Sequence, residues 1–492
     1  MIDNKNKVLH ERLLINGDWV EGSGEIKVIN PANTEEIVGW IARGSQEDVD
    51  KAVKAAKEAF PKWSAIPSAQ RAEILNKAAH RILETIQQRA MLLTRENGKV
   101  ISESFIDFGF AAHLMEYYAT LANRLKDELV IDDSLGQAYL QRRPKGVIAG
   151  IVPWNYPIVL SFFKIAPALL AGNTLVIKPA TYAPLALIDA IRVLNSFLPK
   201  GVINVVTGNG AEVGSYLARH PDVSMVAFTG GIDVGKEVMK GASSGIKKVL
   251  LELGGNDPGI VLDDFNINDD ALMTRLLRGV FNHTGQICFG LKRIYVPVSL
   301  YDRFTKRFTE MADALVLGNG LDPKTTIGPL NNEAGLKFIQ ELVNESVSSD
   351  AKVTSVGQVQ DVEIFKQGYF HKPTIISNVA NSARIVQVEQ FGPVIPIVRY
   401  QSLDEAIKMA NDSAFGLGSS IWTNDLERGL KAAGQISAGQ TFINSHEPFS
   451  LDLQLPFGGV KESGIGRAMS TYGLDEYVDF HTISNRYQQP QQ

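Results

Sequence analysis

The sequence predicts an α/β protein of two or three domains built on parallel sheets. Three observations carry this. The chain has 492 residues, too many for one core. Between Gly146 and Ile260, short continuous apolar runs alternate with helical segments. A second alternating region runs from about Asp257 to Pro456. Strands buried on both faces read as continuous apolar runs, as in a parallel sheet covered by helices.

Taken in chain order, Leu13 to Val20 predicts a small hairpin with Asn16-Gly17 as its turn. Ser45 and Asp48 have the spacing of a helix cap, and Val49, Ala52, Val53, Ala56 and Phe60 make the apolar face behind it. A long helix is expected from about Ala69 to Thr94, with Gly98 near its end. The runs Val147 to Val152, Thr174 to Ile177, Val202 to Val206 and Met225 to Phe228 are the expected strands of the first sheet. Arg293 to Pro297, Phe370 to Ile376 and Val394 to Val398 are those of the second. Gly146 to Gly172 is the most apolar stretch. Pro153, Asn155, Pro157, Lys164 and Pro167 interrupt it within the ~20 residues a membrane span needs, so it reads as a strand, a loop and a buried helix. Asn485 to Gln492 is a polar tail.

Charge is mixed, with 49 Lys and Arg against 54 Asp and Glu. No basic excess points to nucleic acid or to an anionic membrane. Met1 to Arg12 lacks the apolar centre of a signal peptide. A single cysteine suits the reducing cytoplasm, and that compartment is expected. No metal site is predicted.

That cysteine, Cys288, ends the run Phe281-Asn282-His283-Thr284-Gly285-Gln286-Ile287-Cys288. Alone it can build neither an internal disulfide nor a multi-cysteine metal site. It is either a small core side chain or a nucleophile, and the flexible Gly285 with polar Asn282 and Gln286 favours the second. Asn155, between Pro153 and Pro157, is either a turn residue or an amide donor aimed at an oxyanion, together with the Cys288 N–H. Glu252, in Leu251-Glu252-Leu253-Gly254-Gly255, is either a surface carboxylate at a strand end or a general base of raised pKa. Phe228-Thr229-Gly230-Gly231 follows a strand and opens a helix, a place where backbone amides can meet a phosphate. Gly208-Asn209-Gly210 offers a similar turn one strand earlier. Lys178 ends a strand, either as a solvated charge or as a donor to a ribose or phosphate.

Together these motifs resemble the aldehyde dehydrogenase superfamily. The carrying segments are Pro153-Trp154-Asn155, Lys178-Pro179, Phe228-Thr229-Gly230, Leu251 to Gly255, Gly285 to Cys288, Glu389-Gln390-Phe391-Gly392-Pro393 and Pro456 to Gly464, in the family's order. The resemblance implies an NAD(P)-dependent, hydrolytic enzyme that turns an aldehyde into a carboxylic acid. It makes Cys288 the nucleophile, Asn155 the oxyanion donor and Glu252 the base that activates water. It assigns cofactor contacts to Ile151, Val152, Pro153, Trp154, Lys178, Thr181, Gly210, Gly214, Phe228, Thr229, Gly230, Gly231, Val234, Leu253, Glu389 and Phe391. By alignment Tyr156, Leu160, Phe163, Ile287, Phe289 and Phe449 line a substrate tunnel. Their apolar character favours a neutral aliphatic or aromatic aldehyde. A charged semialdehyde is the alternative, and a non-catalytic relative of the fold is a further one. Glu252 argues against a relative that passes the acyl group to CoA.

The fold so implied has a Rossmann-like cofactor-binding domain (1–125 and 144–254), an α/β catalytic domain (255–457) and a small β oligomerisation element (126–143 and 458–492). The last implies a homodimer or homotetramer. Three positions depart from the family pattern. Thr181 stands where a glutamate is common. Such a glutamate repels the 2′-phosphate of NADP, on the order of 4 kcal/mol for like charges about 4 Å apart at an effective dielectric near 20. Use of both NAD and NADP is therefore expected. Gly231 replaces a serine, removing one hydroxyl donor. Asn256 replaces a lysine and has no assigned consequence.

Overall fold

The computed structural model describes residues 8–487. Two large sheets dominate: the first brings strand carboxyl ends (Ile151, Lys178, Thr229, Glu252) toward the site, and the second brings the segments that precede its strands, with Cys288 before Leu291–Pro297 and Glu389 before Val394–Tyr400. The first has eight strands in the order Gly464–Ile465, Lys248–Glu252, Met225–Thr229, Val147–Ile151, Thr174–Lys178, Ile203–Val205, Leu13–Ile15 and Asp18–Val20. Its five central strands are parallel, and an antiparallel pairing closes each edge. Strand order reverses between Val147–Ile151 and Met225–Thr229, and ligands bind at the carboxyl ends of strands beside such a reversal.

The expected helices and turns explain themselves locally. Ser45 caps Gln46–Ser64 with a capping box closed by Asp48, satisfying amides that otherwise lack partners. Gly98 ends the Ile86–Asn97 helix at φ 92°, a conformation that glycine adopts without a Cβ penalty. The long helix expected from Ala69 to Thr94 is in fact two, Ser68–Glu84 and Ile86–Asn97, broken at Thr85 (φ −124°, ψ 22°). A β-branched residue gives that break, with its amide bonded to Ile82 O and its hydroxyl to Arg81 O; the apolar period runs on through the break and hides it. The apolar stretch after Gly146 is the strand Val147–Ile151 and the fully buried helix Pro157–Ala171. Among the described residues no helix is long and apolar enough to cross a membrane.

The second sheet has seven strands in the order Lys352–Ser355, Thr374–Ser377, Val394–Tyr400, Leu291–Pro297, Asp257–Val261, Ser420–Trp422 and Phe442–Ile443. All pairings but the first are parallel. The expected strand over Phe370 to Ile376 is confined to Thr374–Ser377, because Pro373 denies the ladder a donor just before it. A third, three-stranded sheet joins Val478–Ser484, Gly136–Pro144 and Glu128–Asp133. Leu129, Val130, Phe480 and Ile483 are exposed on it. Of the C-terminal segment, only Val478–Ser484 enters this sheet; Gly464–Ile465 pairs with Lys248–Glu252 instead.

One buried amide ties these parts together. Asn173 accepts from Gly146 N and donates to Ala168 O and Tyr477 O, at full burial. It therefore links the start of a central strand, the end of the buried helix and the C-terminal segment. Asn173→Ala removes the side-chain partner of Gly146 N and Tyr477 O, at about 1–3 kcal/mol each, while Ala168 O keeps the backbone N–H of residue 173. A lower melting temperature in calorimetry is expected, with kcat per folded enzyme unchanged, since the residue lies at the amino ends of the strands.

Candidate active site

The strand ends and the loops after them bring Cys288, Asn155 and Glu252 into one cleft. Cys288 follows a short turn after the helix Asp270–Phe281. His283, Thr284 and Gly285 there have φ of 49°, 57° and 73°, three successive left-handed residues. That conformation costs an L-residue roughly 1–2 kcal/mol. Its partners hold it: His283 N–H donates to Glu103, Thr284 Oγ1 to Gly328 O, and Lys292 Nζ to Gly285 O. Gly285 could carry no side chain, because a Cβ would stand 2.2 Å from Gly392 O.

Asn155 is buried and donates Nδ2 to Gln286 O at 2.9 Å. An amide nitrogen carries two N–H groups, so one remains for another acceptor. Glu252 is buried at 4% exposure, and neither of its oxygens has a hydrogen-bond partner. Burial raises its pKa, against the opposing charges of Lys164 and Arg467. Lys164 lies in the middle of the helix Pro157–Ala171. Burial lowers its pKa, while the carboxylate of Glu252 opposes that shift. It donates to Thr229 Oγ1 and Leu160 O. Sequence reasoning used Lys164 only as an interruption of an apolar run; a lone lysine amid Phe162, Phe163 and Ile165 was the available signal. The Cys288 thiol is pushed up by burial and by the charges of Glu389, Glu252 and Asp257, so in this site it is a thiol that needs a base.

On one side of Cys288 lies a tunnel. Tyr156, Leu160, Phe163, Ile287 and Phe289 line it together with Asn155 and Cys288. Phe449 does not. It is 68% exposed and points away, because the Pro448–Ser450 turn directs its neighbours Pro448 and Leu451 inward instead. Phe457 and, from the helix Ile101–Thr120, Ile106, Asp107 and Phe110 complete the wall. No local pattern marks these, since a helix far upstream supplies three of them.

On the other side the first sheet opens a groove. Ile151 and Val152 are buried at the end of their strand, with Pro153 and Trp154 half-buried after it. Phe228 and Thr229 end the next strand, and the Gly230 N–H donates to Glu252 O. Gly231 caps the helix Ile232–Ser243 without any side-chain bond, so its first amides stay open. A Cβ on Gly231 would meet nothing within 4 Å, which shows free space there. Val234 is exposed on that helix, whereas Leu253 is buried under it against Gly235. Gly210 and Gly214 bound a single wide helical turn near Lys178, and Thr181 is half-buried in the bend after it. Lys178 is buried rather than solvated, and burial alone depresses its ammonium to about 8. At the far rim Glu389 accepts from Gly255 N at 3.0 Å, and Phe391 stands edge-on to Trp154 at 5.6 Å. A Cβ on Gly254 would meet Glu389 Oε2 at 2.3 Å, so any side chain there would displace the carboxylate from this position. Asn256, whose consequence was open, donates Nδ2 to Val386 O and accepts from Arg293 Nε; it fastens the second sheet to the Glu389 segment. Among the described residues no cluster of His, Cys, Asp and Glu could hold a metal ion.

A thiol between an apolar tunnel and a groove with open helix amides is equipment for redox chemistry on a small carbonyl compound with a nucleotide cofactor. A model of the aldehyde dehydrogenase family matches residues 19–483. The chain is 37% identical over 479 residues to betaine aldehyde dehydrogenase of Bacillus subtilis (strain 168), covering 96% of each. A solved betaine aldehyde dehydrogenase from Staphylococcus aureus in complex with NAD+ is 34% identical, with a TM-score of 0.92 over 96% of this chain and 94% of that one. A 3,6-anhydro-L-galactose dehydrogenase in complex with NAP is 30% identical, with a TM-score of 0.92 over 97% of this chain and 100% of that one. The chain belongs to the aldehyde dehydrogenase family. It is an oxidoreductase that oxidises an aldehyde with a nicotinamide cofactor.

Glu389 gives the site a pH signature. Burial raises its pKa from 4.5 to about 7, with Lys292 and the Gly255 amide opposing. A carboxyl raised on folding stabilises the fold below its unfolded pKa and loses that contribution as pH rises through its folded one. Glu389→Gln removes the titration. Between pH 4.5 and about 7 the melting temperature of the cofactor-free wild type is therefore expected to fall relative to the Gln variant, as followed by thermal denaturation across that range.

Proposed function

We propose that the chain oxidises neutral, largely apolar aldehydes to carboxylic acids, and that it accepts both NAD and NADP. The observation that carries the chemistry is Glu252, buried with both oxygens unbonded and acting by its charge on the Cys288 thiol. A carboxylate so placed is a base without a competing partner. It takes the thiol proton as Sγ attacks the carbonyl carbon and a C–S bond forms. The oxyanion that results accepts from the free N–H of Asn155 and from the Cys288 backbone amide. NAD(P)+, when bound along the glycine-lined groove, supplies the acceptor for the hydride that leaves this carbon as a thioester forms. Glu252, having passed its first proton to solvent, takes one from water as water attacks the thioester. The C–S bond breaks, the acid departs, and the thiol is restored.

The groove's features support a nicotinamide dinucleotide. Open amides at Gly231 suit a pyrophosphate, the Trp154–Phe391 pair edges the nicotinamide end, and the buried Lys178 has no charged partner acting on it. Thr181 adds no negative charge beside it. Lys178 can therefore donate to a ribose hydroxyl or to a 2′-phosphate, and relatives crystallised with NAD+ and with NAP accord with either. The exposed apolar face of the three-stranded sheet supports assembly into a homodimer or homotetramer.

The tunnel's lining supports an apolar substrate class. Apart from Cys288, Asn155 and the Tyr156 hydroxyl, its one polar lining residue is Asp107, whose carboxylate is already engaged by Lys99. No cationic side chain is present to receive a second carboxylate. Aldehydes assayed with each cofactor, by absorbance of the reduced nicotinamide, should give higher kcat/KM for medium-chain and aromatic aldehydes than for succinic semialdehyde or betaine aldehyde. Activity should appear with both cofactors. Preference for a charged aldehyde overturns the substrate class, and inactivity with NADP overturns the dual use.

Glu252 is tested separately. Glu252→Gln should slow the first equivalent of reduced cofactor per site on rapid mixing, because acylation loses its base, and should suppress the steady state that follows still more strongly, because deacylation loses it too. A wild-type steady state in this variant removes Glu252 from deacylation.

A further inference from the structure

The helix Ile101–Thr120 touches both reactive loops through two buried acids, Glu103 and Asp107. Glu103 is buried, and its Oε1 accepts the His283 N–H at 2.6 Å. One turn on, Asp107 Oδ1 accepts the Val159 N–H at 2.7 Å, in the first turn of the helix that follows Asn155 and Tyr156. Its Oδ2 meets Lys99 Nζ at 3.0 Å, with both side chains at 0% exposure. Lys99 Nζ also sits 3.8 Å from the centre of the Tyr156 ring. Residues four apart lie on one helix face. That face therefore grips the turn before Cys288 at one point and the segment after Asn155 at another.

The geometry points to Glu103 and Asp107 as a two-point clamp that sets the Cys288 loop against the Asn155 loop. The inference rests on the roles proposed above for Cys288 and Asn155. Its physical need is visible at His283, Thr284 and Gly285. Three left-handed residues in succession persist only where surrounding contacts over-determine them, and Glu103 makes the contact to the first. The two loops meet directly through Asn155 Nδ2 and Gln286 O at 2.9 Å. The Tyr156 and His283 rings pack edge-on between the same loops at 5.2 Å, and anchoring both loops to one rigid helix fixes the register of these two contacts. Glu103 is thus a positioning residue. It touches neither tunnel nor groove, and acts through His283.

The test uses the full-length enzyme. Glu103→Asp keeps a carboxylate at the third helical position, where it can still cap the helix, but withdraws it from His283 by one methylene. Glu103→Gln keeps an oxygen acceptor at full reach. With the clamp, the Asp variant loses about tenfold or more in kcat per folded site, while KM for NAD stays within about twofold of wild type. Alkylation of Cys288 by iodoacetamide slows in parallel. The Gln variant keeps more than about a third of wild-type kcat. A helix-stabilising role alone would lower the melting temperature and leave kcat per folded site and the alkylation rate unmoved.

Retention of more than about a third of wild-type kcat by the Asp variant overturns the clamp. So does a fall below that level in the Gln variant, which also decides the matter should the Asp variant not fold. Cys288→Ser, measured alongside, separates the two readings. Turnover in that variant defeats the assignment of Cys288 itself. An inactive Ser variant beside a wild-type-like Glu103→Asp defeats only the clamp.

Discussion

A carboxyl group buried without a hydrogen-bond partner is unfavourable by several kcal/mol when ionised, and the architecture around Glu252 answers to that constraint. The residue sits where the first sheet ends, between strand Met225–Thr229 and the Gly464–Ile465 edge. Its backbone is fixed on both sides, so the side chain cannot retreat to solvent. Lys164 and Arg467 supply opposing charge from two other elements. Gly458 lets the chain pass close by: a Cβ there would stand 3.0 Å from Oε1. The same seclusion that raises this carboxyl also raises the Cys288 thiol. One apolar enclosure therefore disfavours ionisation of both groups, while Lys164 acts against it at Glu252 and the charges of Glu389 and Glu252 add to it at Cys288.

Much of this was legible in the sequence because parallel strands and capped helices write local signatures. The runs from Val147, Thr174 and Met225 became central strands, and Ser45 with Asp48 became a closed capping box. Cys288, Asn155 and Glu252 were recoverable because each sits at a strand end or beside glycine and proline. What was not legible is what non-local packing decides. Thr85 breaks a helix without altering the apolar period on either side. Phe449 looks like a tunnel residue by composition, yet the turn it occupies directs Pro448 and Leu451 inward. Glu103 and Asp107 read as the polar positions of an amphipathic helix. Their burial depends on two loops that arrive from 52 and 180 residues further along the chain.

The cofactor groove shows the same division. Its glycines are placed by sterics that a sequence can suggest: Gly254 leaves room for Glu389, and Gly231 leaves helix amides uncovered. Lys178 could not be placed that way. A lysine at a strand end is ordinarily solvated, but here the strand is central and the side chain is covered, lowering its pKa to about 8. The group remains mainly charged at neutral pH, and its charge is poorly screened by water. A poorly hydrated ammonium with no carboxylate beside it attracts an anion more strongly than a surface lysine does. At this point Thr181 matters. A glutamate in its place would neutralise that charge and restrict it to a neutral ribose; a threonine leaves it available. The proposed acceptance of a 2′-phosphate thus rests on two features in combination, a buried cation and a neutral neighbour.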